Sequence, residues 1–169
     1  MAERRIAVPK ETIAYEGYFE TKELYLVIQR FIDEHGYDRV DTLHEIKIKE
    51  HGRYTDLVLD PEKPFSPEIK GIINMEVSFE GITDETVELD DKKININKGK
   101  VSVAIKGILE SNFEFNSLSE PKRVFFRVLL DKLIYKRHYD DHTQMLSNDI
   151  KTLKHEINSF LNLRKYLYK

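Results

Sequence analysis

Residues 68–80, EIKGIINMEVSFE, alternate between apolar and polar side chains. A period of two residues is typical of a β-strand. A strand with one apolar and one polar face is typical of an antiparallel sheet that contacts a core on one side and water on the other. The apolar set is Ile69, Gly71, Ile73, Met75, Val77 and Phe79, and the polar set is Lys70, Asn74, Glu76, Ser78 and Glu80.

Strand-like alternation extends in both directions from this segment. Residues 11–20 predict a first strand, and residues 40–49 and 53–59 predict a hairpin that turns at His51-Gly52. After residue 80, turns are predicted at 90–92 and at 97–100, where Gly99 is expected to adopt a positive φ. The proline cluster at 60–67 predicts a rigid surface loop. These segments predict an antiparallel sheet of about six to seven strands.

One helix is predicted between the first two strands, with Thr21 as its N-cap and Gly36 at its C-terminal end. The spacing i, i+3, i+4, i+7 predicts a buried stripe. Its members are Leu24, Val27, Ile28 and Phe31.

Two further helices are predicted near the C-terminus. Residues 123–137, RVFFRVLLDKLIYKR, are apolar on most sides of a helix, which indicates cover on more than one side. Residues 143–167 carry apolar side chains at coiled-coil spacing, and residues 138–142 predict the corner between the two helices. The positions of this seam are Leu146, Ile150, Leu153, Ile157 and Phe160.

The predicted fold is α+β, with the order β, α, about six β, α, α. It is a single domain over residues 1–169, with a sheet and one inserted helix in 11–118 and a helical hairpin in 119–169 that packs on one face. A chain of 169 residues with nine Phe and nine Tyr is long and apolar enough for one core. The first residues lack the apolar run of a signal peptide and no membrane span is evident, so we expect a cytoplasmic protein.

Catalytic signatures are missing from the sequence. There is no cysteine, which excludes disulfides and thiol chemistry, and there is no GxGxxG, GxxxxGK[ST] or GxSxG motif. His138 and His142 are four residues apart, as in helical zinc sites, but they lie in the predicted corner, and a solvated corner is the alternative. We therefore expect neither an enzyme nor a cofactor.

Charge is distributed unevenly along the chain. Residues 1–118 hold 16 basic and 24 acidic side chains, and residues 119–169 hold 11 basic and 6 acidic ones. Such a basic segment suits RNA or another phosphate surface. A solvated layer of basic helices beside an acidic sheet is the alternative, and no RNA- or DNA-binding motif is present. The nucleic-acid candidates are Lys151, Lys154, Arg164 and Lys165.

The segments YEGYFETKELY, GKVSVAIKGILESNF and INSFLNLRKYLY, in this order, resemble a family of small uncharacterised archaeal proteins. The resemblance implies a cytosolic single-domain protein and carries no activity. The layout is also similar to helix-grip lipid-binding folds, in which a long C-terminal helix lies across a curved sheet. Those folds have two short helices after the first strand and one long helix at the end. Here one helix is predicted after the first strand and two helices are predicted at the end.

The leading hypothesis is a non-enzymatic assembly module that self-associates through its C-terminal helices. The last helix, of about 25 residues, is longer than the central one, of about 17 residues, so its C-terminal end requires another cover. The predicted interface consists of Phe160, Leu161, Leu163, Tyr166 and Leu167. The alternatives are an RNA- or ribosome-associated factor that uses the basic helices, and a helix-grip carrier of an apolar ligand.

Overall fold

The computed structural model describes residues 2–112 and 135–167. Within these ranges the chain forms six strands and two helices. In chain order they are β1 (Ala2–Phe19), α1 (Thr21–Glu34), β2 (Asp41–Lys49), β3 (Gly52–Leu59), β4 (Glu62–Pro64), β5 (Ile69–Leu89), β6 (Lys92–Asn112) and α2 (Tyr135–Leu167).

The six strands form one antiparallel sheet in the order β1-β6-β5-β3-β2, with β4 paired to β5. The predicted α+β class and antiparallel sheet are therefore confirmed. α2 packs on β1, β6 and β5 and contacts α1. None of the described helices is long and apolar enough to cross a membrane.

The core lies between the inner face of the sheet and the two helices. The apolar set predicted for residues 69–79 is buried there, together with the odd-numbered apolar positions of 101–109. From α1 the core receives Leu24, Ile28, Phe31 and Ile32, whereas Val27 is half-buried. From α2 it receives Leu146, Ile150, Leu153, Ile157 and Leu161.

The predicted turn at 97–100 is wrong, because these residues lie inside the 21-residue strand β6. β5 and β6 form one long hairpin, whose turn at Asp90-Asp91 has φ of 49° and 60°. A bulge interrupts β5 at Gly81, where φ is 60°, and the register with β6 shifts there. Gly99 faces this bulge, and a Cβ on it would lie 2.6 Å from Cδ1 of Ile82. Gly99 is therefore needed for a close approach of the two strands rather than for a turn.

The predicted corner at 138–142 is also wrong, because α2 begins at Tyr135 and continues through these residues. The sequence of α2 contains no glycine or proline that would end a helix here. Tyr139 lies seven residues before Leu146 and packs against the core, so the apolar seam begins earlier than predicted. The rest of the predicted central helix, residues 123–134, lies outside the described residues, so the predicted hairpin is not tested.

The N-terminal end of α1 is held by a side chain of a neighbouring strand. Thr21 is the first helical residue and not the N-cap, which is Glu20. The backbone N–H and the hydroxyl of Thr21 lie 3.1 and 3.2 Å from Oδ1 of Asn97 in β6. The amide oxygen thus accepts a hydrogen bond from a first-turn N–H that a capping side chain would otherwise satisfy. Gly36 follows α1 with a φ of 69°, as predicted.

A row of alternating charges crosses four strands on the outer face of the sheet. Arg4 and Lys70 both bind the half-buried Glu110, and Lys70 also binds Glu62, with Nζ–O distances of 3.1 Å to Glu110 and 2.8 Å to Glu62. Burial alone would raise the pKa of Glu110, but the hydrogen bonds and charges of Arg4 and Lys70 outweigh it and lower that pKa.

We expect Glu110→Gln to reduce the free energy of unfolding by about 1 kcal/mol at neutral pH. Because the folded-state pKa lies below the unfolded one, this stabilisation exists above the unfolded pKa and is lost as pH falls through the folded pKa. Urea unfolding of wild type and variant across the acidic range measures the difference. A difference that does not shrink with falling pH contradicts this role of the Glu110 carboxylate.

Candidate interaction surface

The predicted interface residues divide into two groups along α2. Leu161 is buried in the core of its own chain and Phe160 packs against it, so both are intramolecular contacts. Leu163, Tyr166 and Leu167 are exposed to 64%, 72% and 48%. Their spacing of i, i+3, i+4 places them together on one side of the helix. We refer to these three residues as the C-terminal apolar patch.

The packed part of α2 ends where α1 begins. Arg164 of α2 lies 3.6 Å from the carboxylate of Glu20, and its guanidinium stacks over the ring of Phe160 at 5.3 Å. At the other end of α1, the hydroxyl of Tyr37 donates to Asp149. The two helices are therefore antiparallel, and the last turn of α2 extends beyond the start of α1.

Two of the four nucleic-acid candidates form ion pairs with the sheet side of the fold. Lys154 binds Glu11 of β1, and Arg164 binds Glu20. Only Lys151 and Lys165, of these four, are exposed. Each ion pair neutralises a positive charge that a phosphate would otherwise meet. The geometry supports a structural role for Lys154 and Arg164, in which they join α2 to β1 and to the start of α1.

Of the two metal candidates, only His142 has a described side chain. His142 is half-buried, and its ring stacks on Phe65 at a centroid distance of 5.6 Å. The side chain of His138 lies outside the described part. Among the residues that are described, no group of three or more His, Cys, Asp or Glu side chains could hold a metal ion.

A polar cluster that sequence patterns did not indicate joins three distant segments. The buried Tyr37 donates to Asp149 at 2.8 Å, and Nζ of Lys63 lies 3.9 Å from the same carboxylate oxygen. Burial first, and then the Asp149 carboxylate, raise the pKa of Tyr37 far above its ordinary value. Such a phenol remains a hydrogen-bond donor, so the cluster fixes α2 to the segments after α1 and β3 rather than supplying a nucleophile.

A shallow groove of about 370 Å³ lies on the outer face of the sheet, away from the helices. Its floor has small side chains, Ala14, Ser78 and Ser102, and charged residues stand beside it. Two of these charged residues form an ion pair, in which Nζ of Lys100 is 3.7 Å from Oε2 of Glu16. The groove is open to solvent and has charged side chains in its lining, whereas a site for an apolar ligand is usually an enclosed, mostly apolar cavity.

The space between α2 and the sheet, where a helix-grip carrier would hold its ligand, is filled at Gly107. A Cβ on this residue would lie 2.8 Å from Cδ1 of Ile150, 2.9 Å from Cδ2 of Leu146 and 2.9 Å from Cβ of Val8. The helix therefore rests directly on β6 at this point.

No model of a protein family matches the chain, and a search of curated proteins finds no match either.

Proposed function

We propose that this protein is an assembly module that pairs with a second copy of itself through the C-terminal apolar patch. The observation that carries the proposal is the exposure of Leu163, Tyr166 and Leu167 in the last turns of α2, directly after the part of the helix that is packed on its own core. Scattered exposed apolar residues are ordinary, but three large ones on one helical side favour a contact.

A twofold pairing suits a patch at a helix end, because the same patch then covers itself in both chains. Three side chains supply only a small part of the roughly 800 Å² per partner that stable interfaces bury. We therefore expect association that depends on concentration rather than an obligate dimer.

The double variant Leu163→Asp/Leu167→Asp is expected to lower the average molar mass at tens of micromolar without unfolding the chain. Both side chains are solvent-exposed, so the cost to the fold is about 1 kcal/mol, mostly from negative charge at a helix C-terminus. Light scattering after size exclusion measures the mass, and circular dichroism measures the fold.

Asn162→Asp is the matched control, since Asn162 is exposed in the same turn and the change adds charge without removing an apolar side chain. It should leave the molar mass unchanged. A wild type that is strictly monomeric at these concentrations, or a double variant with wild-type mass, rejects the proposed contact. A double variant that unfolds indicates instead that the patch is covered within the chain.

A further inference from the structure

The other end of the sheet carries a second feature that the C-terminal apolar patch does not involve. β2 is the last strand in the order β1-β6-β5-β3-β2 and pairs only with β3 among the described strands. α2 packs on strands at the opposite side of the sheet. Residues 45–49 of β2, here called the β2 edge, are exposed on both faces.

The backbone of the β2 edge is oriented for pairing. A two-residue turn at 50–51 closes the β2–β3 hairpin, with Lys49 opposite Gly52. A closing pair of this kind exchanges both backbone hydrogen bonds, and the pattern then alternates along the ladder. The N–H and C=O groups of Ile46 and Ile48 therefore point away from β3, toward the open edge.

The side chains of the β2 edge are complementary to those of a second copy. Ile46 and Ile48 lie on one face and are 59% and 81% exposed. Glu45 and Lys47 lie on the other face, where Nζ of Lys47 is 2.8 Å from Oε1 of Glu45. Lysines commonly protect an open edge, but an alternating acid and base permit an antiparallel copy to place opposite charges against each other.

We propose that the β2 edge pairs antiparallel with the β2 edge of a second copy, about a twofold axis at Ile46. In this register Ile46 faces Ile46 of the partner subunit, and Glu45 faces Lys47 of the partner subunit. Moving the axis to Lys47 would place two lysines opposite each other, and moving it to Glu45 would place two glutamates opposite each other. Of these three registers, the one at Ile46 pairs apolar with apolar and acid with base without setting like charges opposite each other.

The absence of cysteine allows single thiols to report this register. At the axis, the Cα atoms of residue 46 in the two chains would be about 5.5 Å apart, which suits a disulfide. Residue 48 would lie opposite residue 44, so its two copies would be offset by about 13 Å along the strand, which does not. Ile46→Cys should therefore oxidise mainly to a covalent dimer, and Ile48→Cys should remain a monomer on a non-reducing gel.

Leu26→Cys supplies the background of random collision, since Leu26 is exposed on α1, outside the edge. Equal cross-linking of both edge variants, cross-linking of Ile48→Cys alone, or no Ile46→Cys dimer above the Leu26→Cys background overturns the proposal. In the Leu163→Asp/Leu167→Asp background, Ile46→Cys should still cross-link, because the two surfaces are distinct. Loss of the cross-link there overturns the β2 pairing as an independent contact, whatever the outcome for the C-terminal apolar patch.

Discussion

Replacing Ile157 by aspartate is expected to unfold the protein at room temperature. Ile157 is fully buried in the α2 seam and belongs to the hydrophobic core between sheet and helices. The substitution removes a large apolar side chain from the core and buries a carboxylate among apolar side chains. A loss of at least about 4 kcal/mol follows, which is a large part of the stability of an ordinary domain. Circular dichroism and urea unfolding measure it.

Leu163→Asp introduces the same charge six residues later on the same helix, where the side chain is exposed. It should retain a cooperative unfolding transition close to that of the wild type. The contrast between the two variants measures where the packed part of α2 ends. Equal destabilisation by both would mean that the C-terminal apolar patch belongs to the core.

Gly107→Leu is expected to lower the free energy of unfolding by about 3 kcal/mol, because overpacking a filled core forces helix and sheet apart. The new side chain would meet Val8, Leu146 and Ile150 where even a Cβ has no room. Gly107→Ala should cost less, since two of the three closest atoms are ends of side chains that can rotate. Thermal unfolding of both variants measures the graded effect.

A double-mutant cycle identifies the cause. Ile150→Ala alone opens a cavity and destabilises, but in the Gly107→Leu background it provides space for the new side chain. We therefore expect Ile150→Ala to cost clearly less in that background than in the wild type. Additive effects would contradict direct contact between α2 and β6 at Gly107.

Local patterns were sufficient for most elements of the sheet and for the seam of α2. They failed at residues 97–100 because Asn97-Lys98-Gly99-Lys100 has the composition of a tight turn, and because the apolar positions change there from even, at Ile94 and Ile96, to odd, at Val101. That change resembles a break between two strands. In the structure β6 is continuous, Ile96 and Val101 lie on opposite faces, and the bulge at Gly81 in β5 accommodates the shift. The compensating residue lies in another strand, so the segment itself contained no signal for it.

The interaction surface was only partly predictable for a similar reason. Helical spacing indicated an apolar C-terminal end, but the boundary between core and surface depends on Arg164 contacting Glu20, which precedes α1. The ion pairs of the basic candidates were likewise not predictable, because Lys154 binds Glu11, 143 residues away. Such pairings depend on the tertiary fold, and no periodic pattern in the sequence indicates them.

The central claim is that α2 has a packed part that is intramolecular and a last turn that meets a second copy. Amide hydrogen exchange along α2, measured from dilute to concentrated protein, tests it most directly. Amides of residues 146–161 should be strongly protected at every concentration, because their seam lies in the core. Amides of residues 163–167 should exchange fast when dilute and gain protection as concentration rises. Protection of the last turn that does not change with concentration would contradict the claim.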